Sequence, residues 1–304
     1  MSAIRQEGAL ARTHEGEPGL PRGRSRLPVE TVRAAQRERL LCAVVAAVAD
    51  TGYHDVTVAD IVRRARGSRA AFYAHFAGKE DCFLDATRAG GKLMAERIVA
   101  ATRALPAGCR AEDILRTSIA AYLAFLVEEP AFARAFYVEM PAAGARAVGR
   151  LEAAHHQYAG LNHAWHKRAR RDNPAWPVVP YEACFALSGA ISELVRAYVR
   201  TDRIHALRGL EDTLVAVHLA VLAARPWPDT GAAVHDTLGA LRDTDSTVRD
   251  TGSAAHGTGG APRETGAVAR DTGSVARYTS AGARGTGGVA RGTDAVARAG
   301  GSGT

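Results

Sequence analysis

Hydrophobic positions recur at three- and four-residue spacing from about Val29 to Arg225, and no long alternating β-branched run lies among them. This spacing places apolar side chains on one face of a helix. Breakers such as Gly52, Gly78 and Pro130 divide the segment. The pattern predicts an all-α fold of about nine helices, the last six near 79–104, 111–128, 131–139, 143–171, 180–201 and 210–224.

Two short helices joined by a tight turn are predicted within residues 29–88. Thr57 and Ser68 stand directly before two apolar-periodic runs, where a hydroxyl can accept a hydrogen bond from the first turn of a helix. Arg66 and Gly67 form the turn between the runs, and Phe72 is expected to anchor the second helix inside. Two such helices form a helix-turn-helix, which sets its second helix in the major groove of DNA.

The second helix carries side chains suited to that groove. Arg69, Ala70 and Ala71 occupy its first turn, where base edges are reached. Arg69 can donate two hydrogen bonds to a guanine, and Ala71 can contact a thymine methyl group. Tyr73 and His75 can donate to phosphates. Lys79 is predicted to begin the next helix, where backbone N–H groups also attract phosphate.

Basic charge is concentrated in the same part of the chain. The 304 residues carry a net charge of +7. Residues 22–79 contain eleven basic and five acidic residues, so nearly all of the excess lies there. A basic surface next to a helix-turn-helix favours DNA as the partner.

Residues 29–88 resemble the DNA-binding domain of the tetracycline-repressor (TetR) family. The resemblance is carried by these residues: Gln36-Arg-Glu-Arg39, Gly52-Tyr53, Thr57-Val-Ala-Asp-Ile-Val62, Ser68-Arg69, Phe72-Tyr73, His75-Phe76 and Lys79-Glu80. It implies that Thr57, Ser68, Tyr73, His75 and Lys79 contact phosphates and that Arg69, Ala70 and Ala71 lie near bases. It also implies a homodimeric repressor that binds a palindromic double-stranded operator and is released by a small molecule.

The turn of this motif departs from the family pattern. The family usually has Ala-Gly-Val-Ser there, whereas this chain has Ala65-Arg66-Gly67-Ser68. The glycine is displaced by one position and the apolar valine is missing. We therefore expect a looser turn and weaker DNA binding. Ala71 and Ala74 also stand where polar residues are frequent, which reduces the number of contacts.

Residues 89–226 are predicted to form a larger helical bundle for effector binding and dimerisation. The helices near 180–201 and 210–224 are apolar on more than one side, which is typical of helices that bury a face outside their own bundle. The resemblance makes them the dimer interface; the alternative is a simple monomer core. A set of aromatic and apolar residues could line an effector pocket or be plain core: Phe125, Phe132, Phe136, Tyr137, Met140, Tyr158 and Trp165.

The two ends of the chain have a different composition. Residues 1–28 are polar and basic, and we expect a disordered arm. Residues 227–304 repeat Arg and Thr every seven residues with much Gly and no large apolar seam, so a disordered tail is favoured over a coiled coil. Eight Arg are balanced there by eight acidic residues, which argues against a strong grip on DNA. A non-specific architectural DNA-binding protein with an Arg-repeat tail is the alternative function.

Other classes of protein find little support in the sequence. The four cysteines form no CxxC pair, which argues against a zinc or redox motif. His156, His163 and His166 share one side of a predicted helix with Glu152, but nearby basic residues favour a solvated polar face over a metal site. We expect no cofactor and no enzyme activity, because no nucleophile elbow, phosphate loop or dinucleotide fingerprint occurs. The absence of a signal peptide or a spanning segment predicts a cytoplasmic protein without membrane contact.

Overall fold

The structure is a computed structural model that describes residues 8–13 and 28–223. Within these residues there are nine α-helices and no strands: α1 (Val29–Thr51), α2 (Val58–Arg64), α3 (Arg69–Tyr73), α4 (Lys79–Arg103), α5 (Ala111–Glu128), α6 (Pro130–Arg134), α7 (Ala145–Asp172), α8 (Tyr181–Arg200) and α9 (Glu211–Leu222). Three short 3₁₀ helices cover Ala9–Ala11, Met140–Ala143 and Ile204–Leu210, and a π-helix covers Ala135–Glu139. The predicted all-α fold is confirmed.

Helices α1, α2 and α3 form a small helix-turn-helix unit around the second half of α1. Val44 and Val48 of α1 are fully buried there, as are Ile61 of α2 and Phe72 of α3. Phe83 of α4 is also fully buried, and α4 packs along α1. Since α4 runs without a break from Lys79 to Arg103, it joins this unit directly to the helices that follow.

Helices α5 to α9 form a bundle with the part of α4 that extends beyond the helix-turn-helix unit. Their buried apolar side chains continue the core of the helix-turn-helix unit, so one core cluster extends along the chain from Ala11 to Val215. A smaller cluster that includes Ala159, Cys184 and Leu222 lies where α7, α8 and α9 meet. The division between domains predicted at residues 88 and 89 falls inside α4 and stays a prediction.

The helix predicted near 131–139 is less regular than expected. Regular α-helix ends at Arg134 and continues as the π-helix and then as a 3₁₀ turn that begins at Met140. Pro141 lies in that turn and has no backbone N–H to continue an α-helical ladder. The periodicity of the sequence found the helical segment but not the change in its winding.

Part of the predicted disordered arm is instead packed against the protein. Residues Gly8–Thr13 lie on α1 and α6, and Ala11 is fully buried. The rest of the arm up to residue 27, and the predicted tail at 227–304, lie outside the described residues. No helix in the described part of the chain is long and apolar enough to cross a bilayer.

Candidate DNA-binding interface

Two hydroxyl groups begin the two helices of the motif, as the sequence predicts. Ser68 Oγ accepts a hydrogen bond of 3.1 Å from the N–H of Ala71. Thr57 Oγ1 accepts one of 3.2 Å from Asp60, whose carboxylate accepts the N–H of Thr57 in return at 3.1 Å. The Thr57 hydroxyl also donates to the Asp60 carboxylate at 2.6 Å, and the hydrogen bonds that this carboxylate accepts from the side chain and backbone of Thr57 lower its pKa below the usual value. Both helix starts are therefore fixed by local contacts.

The turn between the helices shows what the departure from the family pattern does to the backbone. Arg66 adopts a left-handed backbone conformation with a φ of 53°, which is unfavourable for a residue with a Cβ atom. Gly67 follows Arg66 and does not itself adopt a left-handed conformation. Gly67 is exposed, and a Cβ atom there would have nothing within 4 Å, so a side chain at this position would point into open space and not into the core.

The second helix is short and presents its polar side to solvent. It covers Arg69–Tyr73, five residues, and Phe72 anchors it with a fully buried ring. Arg69 and Ala70 are exposed, Ala71 is half-buried, and the Tyr73 side chain is 58% exposed. The side chains that the sequence assigns to base edges and phosphates are therefore accessible on this helix.

His75 lies beside a basic cleft that the sequence reasoning did not single out. The cleft has a volume of about 370 Å³ and is lined by Glu30, Arg33, Ala34, Arg37, Ala74 and His75. The Arg33 guanidinium lies 3.5 Å from the carbonyl oxygen of Ala74. The four-residue spacing of Arg33 and Arg37 on α1 was the available signal, but only tertiary packing places both beside His75.

Charge and burial both act on the His75 imidazole. Burial lowers its pKa from 6.5, and the positive charges of Arg33 and Arg37 lower it further. Arg37 is itself paired with Asp85 of α4 and lies over the Phe76 ring at 5.4 Å. Near neutral pH the ring is therefore uncharged in the free protein and can donate only one N–H to a phosphate.

The Lys79 ammonium is already occupied within the protein. It donates hydrogen bonds to the carbonyl oxygens of Tyr53 at 2.7 Å and His54 at 3.3 Å, and it lies 4.3 Å from the centre of the Tyr53 ring. Burial lowers its pKa from the usual value. The side chain thus ties the start of α4 to the α1–α2 turn, and a phosphate contact at Lys79 would come through its backbone N–H.

Most of the residues predicted to line an effector pocket form one aromatic cluster. The Phe125 and Phe132 rings lie 5.8 Å apart, those of Phe132 and Phe136 5.7 Å, and those of Phe136 and Tyr137 5.1 Å. Met140 is buried in the same core. The rings touch one another, so this arrangement is a packed core in the present structure.

Tyr122 and Met94, which were not predicted to line the pocket, extend this aromatic cluster toward α7. The Tyr137 hydroxyl is hydrogen-bonded to that of Tyr122 at 2.7 Å, and the Tyr122 ring lies 6.5 Å from that of Tyr158. The Tyr158 hydroxyl in turn lies 3.9 Å from the Met94 sulfur. Burial raises the pKa of all three tyrosines, so their hydroxyls stay neutral. Tyr122 lies one helical turn before Phe125, a spacing that could have indicated it.

Trp165 lies apart from this aromatic chain. Its indole N–H donates to the carbonyl oxygen of Ala111 at 2.7 Å, and its ring lies 6.1 Å from that of Trp176. It packs against both hydrophobic clusters. The structure therefore places it between the two clusters of the bundle.

Only part of the histidine side of α7 is the solvated face expected from sequence: the His156 side chain is 37% exposed and lies 3.9 Å from the exposed Glu152 carboxylate, whereas His166 is buried. His166 is 2% exposed and stacks on Trp176. His156 Nδ1 lies 3.0 Å from the Tyr181 hydroxyl, and the ring of His163 lies edge-on to that of Tyr181. Packing of α8 and of the segment before it covers the His166 end of this side of α7 and leaves Glu152 exposed. Among the described residues, no group of three or more His, Cys, Asp or Glu side chains is placed to hold a metal ion.

The geometry defines a DNA-binding helix-turn-helix on an all-α scaffold, which is the architecture of a transcriptional regulator. Residues 40–86 match the family model described as bacterial regulatory proteins, tetR family. This match confirms the resemblance seen in the motifs for this part of the chain: residues 40–86 are similar to the DNA-binding domain of the TetR family. No curated relative matches the chain at a significant level.

Solved structures of regulators share the fold. FadR of Bacillus subtilis, solved in complex with stearoyl-CoA, is 18% identical; the match covers 60% of this chain and 98% of FadR, with a TM-score of 0.53. The fatty acid degradation regulator FadR of Bacillus halodurans is 17% identical over 60% of this chain and 94% of its own, with a TM-score of 0.52. A tetR-family regulatory protein of Rhodococcus RHA1 is 19% identical over 62% and 98%, with a TM-score of 0.50.

Proposed function

We propose that a homodimer of this chain represses transcription by binding a palindromic operator and that a small molecule bound in the α5–α9 bundle releases it. The observation that carries the proposal is the capped helix α3, which holds Arg69, Ala70 and Tyr73 on the surface of a unit matched to the family's DNA-binding domain. Each subunit would insert this helix into one major groove. The non-specific architectural alternative is not favoured.

Dimerisation through α8 and α9 is supported by their outward faces. The two helices pack against each other, and the side that faces away from the core carries small apolar side chains. The exposed members of this set are Ala186, Ala190, Ala216, Val217 and Ala220. Small side chains allow close approach of a second copy, and an unpartnered apolar face at helical spacing favours burial.

The effector is proposed to bind among the aromatic rings of α5, α6, the π-helix and α7. A ligand there meets aromatic and apolar side chains and the three neutral phenol groups, which suits a largely apolar molecule with a hydrogen-bonding group. Because the rings are now in contact, entry of a ligand requires them to move. Stearoyl-CoA is a suitable first probe, because it is bound by a FadR that has the same fold.

A physical connection runs from these rings to the helix-turn-helix. Glu139, at the end of the π-helix that contains Phe136 and Tyr137, accepts the backbone N–H of Tyr53 at 3.0 Å. The carbonyl of the same Tyr53 accepts the Lys79 ammonium. Displacement of the aromatic rings would therefore shift the α1–α2 turn and change the spacing of the two α3 helices in a dimer.

Selection of binding sites from a random duplex library by the full-length protein tests this function. We expect an inverted repeat. Arg69→Ala should relax the preference at one position of each half-site by about 1–3 kcal/mol, and Tyr73→Ala should weaken binding to all sequences alike. Arg168→Ala, which removes an equal charge from an exposed position on α7, is the matched control. Equal binding by all variants would refute the assignment of α3.

The same operator complex then tests the effector. Stearoyl-CoA, with free coenzyme A as the control, is added to the complex at increasing concentration. Release by the acylated compound supports an apolar effector of this kind, whereas a lack of release by both would direct the search to other apolar molecules without affecting the DNA-binding assignment.

A further inference from the structure

A short N-terminal segment is held against the protein by a buried carboxylate. The backbone N–H groups of Ala9 and Leu10 donate hydrogen bonds of 3.0 and 2.9 Å to the two carboxylate oxygens of Glu129. Ala11 is fully buried below them. The segment Gly8–Thr13 is thus docked by hydrogen bonds and by apolar burial together.

Glu129 is placed as a receptor for this segment. It lies at the corner between α5 and α6 and is only 3% exposed. A buried carboxylate requires donors, because it has left the hydrogen bonds that water would provide. Two N–H groups aimed one at each oxygen satisfy that need, so the carboxylate and the segment are matched to each other.

Gly8 makes the fit specific. Its φ of 107° lies in the region that side chains rarely adopt. A Cβ atom at this position would lie 2.3 Å from Glu129 Oε2 and 3.0 Å from the backbone oxygen of Glu128. Neither contact is possible without a shift, so only glycine allows the chain to approach the carboxylate so closely.

The docked segment also covers part of α1. The Cys42 sulfur lies 3.6 Å from the carbonyl oxygen of Ala9. Burial raises the pKa of the Cys42 thiol to about 11, with nearby Glu38 and Glu129 adding to the effect. Cys42 therefore reports on whether the segment is in place.

We propose that Gly8–Thr13 is an intramolecular strap whose receptor is Glu129 and which fastens α1 of the helix-turn-helix unit to the α5–α6 corner of the bundle. The docking itself is independent of any DNA or effector. Its regulatory consequence rests on the proposed function: α6 leads through Phe132 into the aromatic cluster, and the strap limits how far this helix and α1 can move apart.

Alkylation of Cys42 by iodoacetamide, followed by mass spectrometry of the full-length protein, tests the strap. A Cys109→Ser background simplifies the readout, because Cys82 and Cys184 are buried and Cys109 is half-exposed. Glu129→Gln keeps the shape but replaces one accepting oxygen by an amide that donates. Release of the strap uncovers the thiol and removes the burial that raises its pKa, and both changes speed alkylation.

We expect about a tenfold faster reaction at Cys42 in Glu129→Gln, the change that corresponds to loss of one hydrogen bond to a charged group. Because this variant also removes a charge that raises the pKa of Cys42, the decisive variant is Gly8→Ala. Gly8→Ala should act in the same direction and leaves Glu129 intact, so it remains informative if Glu129→Gln fails to fold. Glu128→Gln is the matched control, because it removes the same charge from the exposed neighbouring side chain and should leave the rate unchanged.

A rate at Cys42 in Gly8→Ala equal to that of the parent would overturn the strap, whatever the rate in Glu129→Gln. Since the measurement contains no DNA, failure of the proposed repressor function would leave this result unchanged. The two ideas can therefore fail separately.

Discussion

We expect protonation of His75 to link DNA binding to pH. In the free protein, burial and the charges of Arg33 and Arg37 lower the pKa of this ring. A phosphate in contact with it would raise the pKa, so the complex would bind more protons than the free protein. Operator affinity should therefore rise as the pH falls through the pKa of the complex, and it should level off below the pKa of the free protein.

The expected gain is about tenfold per subunit for each unit by which the two pKa values differ, measured as the dissociation constant between about pH 8 and pH 6, around the usual histidine value. His75→Gln should remove this dependence. His163→Gln, which changes a histidine on α7, should retain it. An unaltered pH profile in His75→Gln would show that the ring does not meet a phosphate.

Local contacts at the residue scale were predictable from the sequence, whereas long-range ones were not. The caps by Thr57 and Ser68 involve residues three positions apart, so the sequence alone identifies both partners. The Lys79 ammonium instead meets the carbonyl of Tyr53, 26 positions away. No pattern within a single helix could indicate that contact.

At the scale of elements, α4 and α6 approach each other closely through one glycine. A Cβ atom at Gly90 would lie 2.1 Å from the Phe132 ring, while one at Gly91 would meet nothing within 4 Å. Gly90→Ala should therefore destabilise the protein by about 1–3 kcal/mol through overpacking. Gly91→Ala should stabilise it by about 0.5–1 kcal/mol, because alanine is the better helix former.

Urea unfolding followed by circular dichroism measures both glycine variants. Both variants replace glycine by alanine in the same helix. Opposite signs of the change in unfolding free energy would therefore isolate the contact of Gly90 with Phe132. If both variants were equally stabilised, α4 and α6 would not pack as described.

The sequence predicted the helices of the bundle better than their irregularities. Apolar periodicity is sustained in α7 and α8, and both were found within a few residues of their ends. The π-helix at Ala135–Glu139 has an ordinary helical composition, and its winding depends on how its rings pack against neighbouring helices. The docking of Gly8–Thr13 could not be predicted from the sequence either, because its partner Glu129 lies about 120 positions away.

At the scale of the whole molecule, the segment from Glu129 to Glu139 contacts three parts of the protein that would move in the proposed response to an effector. Phe132 meets α4 at Gly90, Glu129 holds the N-terminal strap, and Glu139 holds the α1–α2 turn through Tyr53. This short segment therefore joins the aromatic cluster to the helix-turn-helix unit by two contacts, those of Glu129 and Glu139, and to α4 by a third. In a dimer, a movement of this segment would be converted into a change in the distance between two copies of α3.

A change in the distance between two copies of α3 requires a dimer, and the substitution Val217→Arg tests whether α9 forms its interface. Val217 lies on the outward face of α9 and is 37% exposed. Val217→Arg would place a charge without a partner in the proposed interface, and burial of such a charge costs several kcal/mol. We expect sedimentation to show a monomer that keeps its helical content and binds one half-site as well as the parent binds it, but loses the tighter binding to the full palindrome.

Val148→Arg is the matched control, because Val148 is 48% exposed on α7 and the same charge should be tolerated there. A Val217→Arg protein that still sediments as a dimer and binds the palindrome like the parent would place the interface elsewhere. A monomer that binds the palindrome as tightly as the parent would instead mean that α3 acts singly, and the spacing mechanism would then lose its basis.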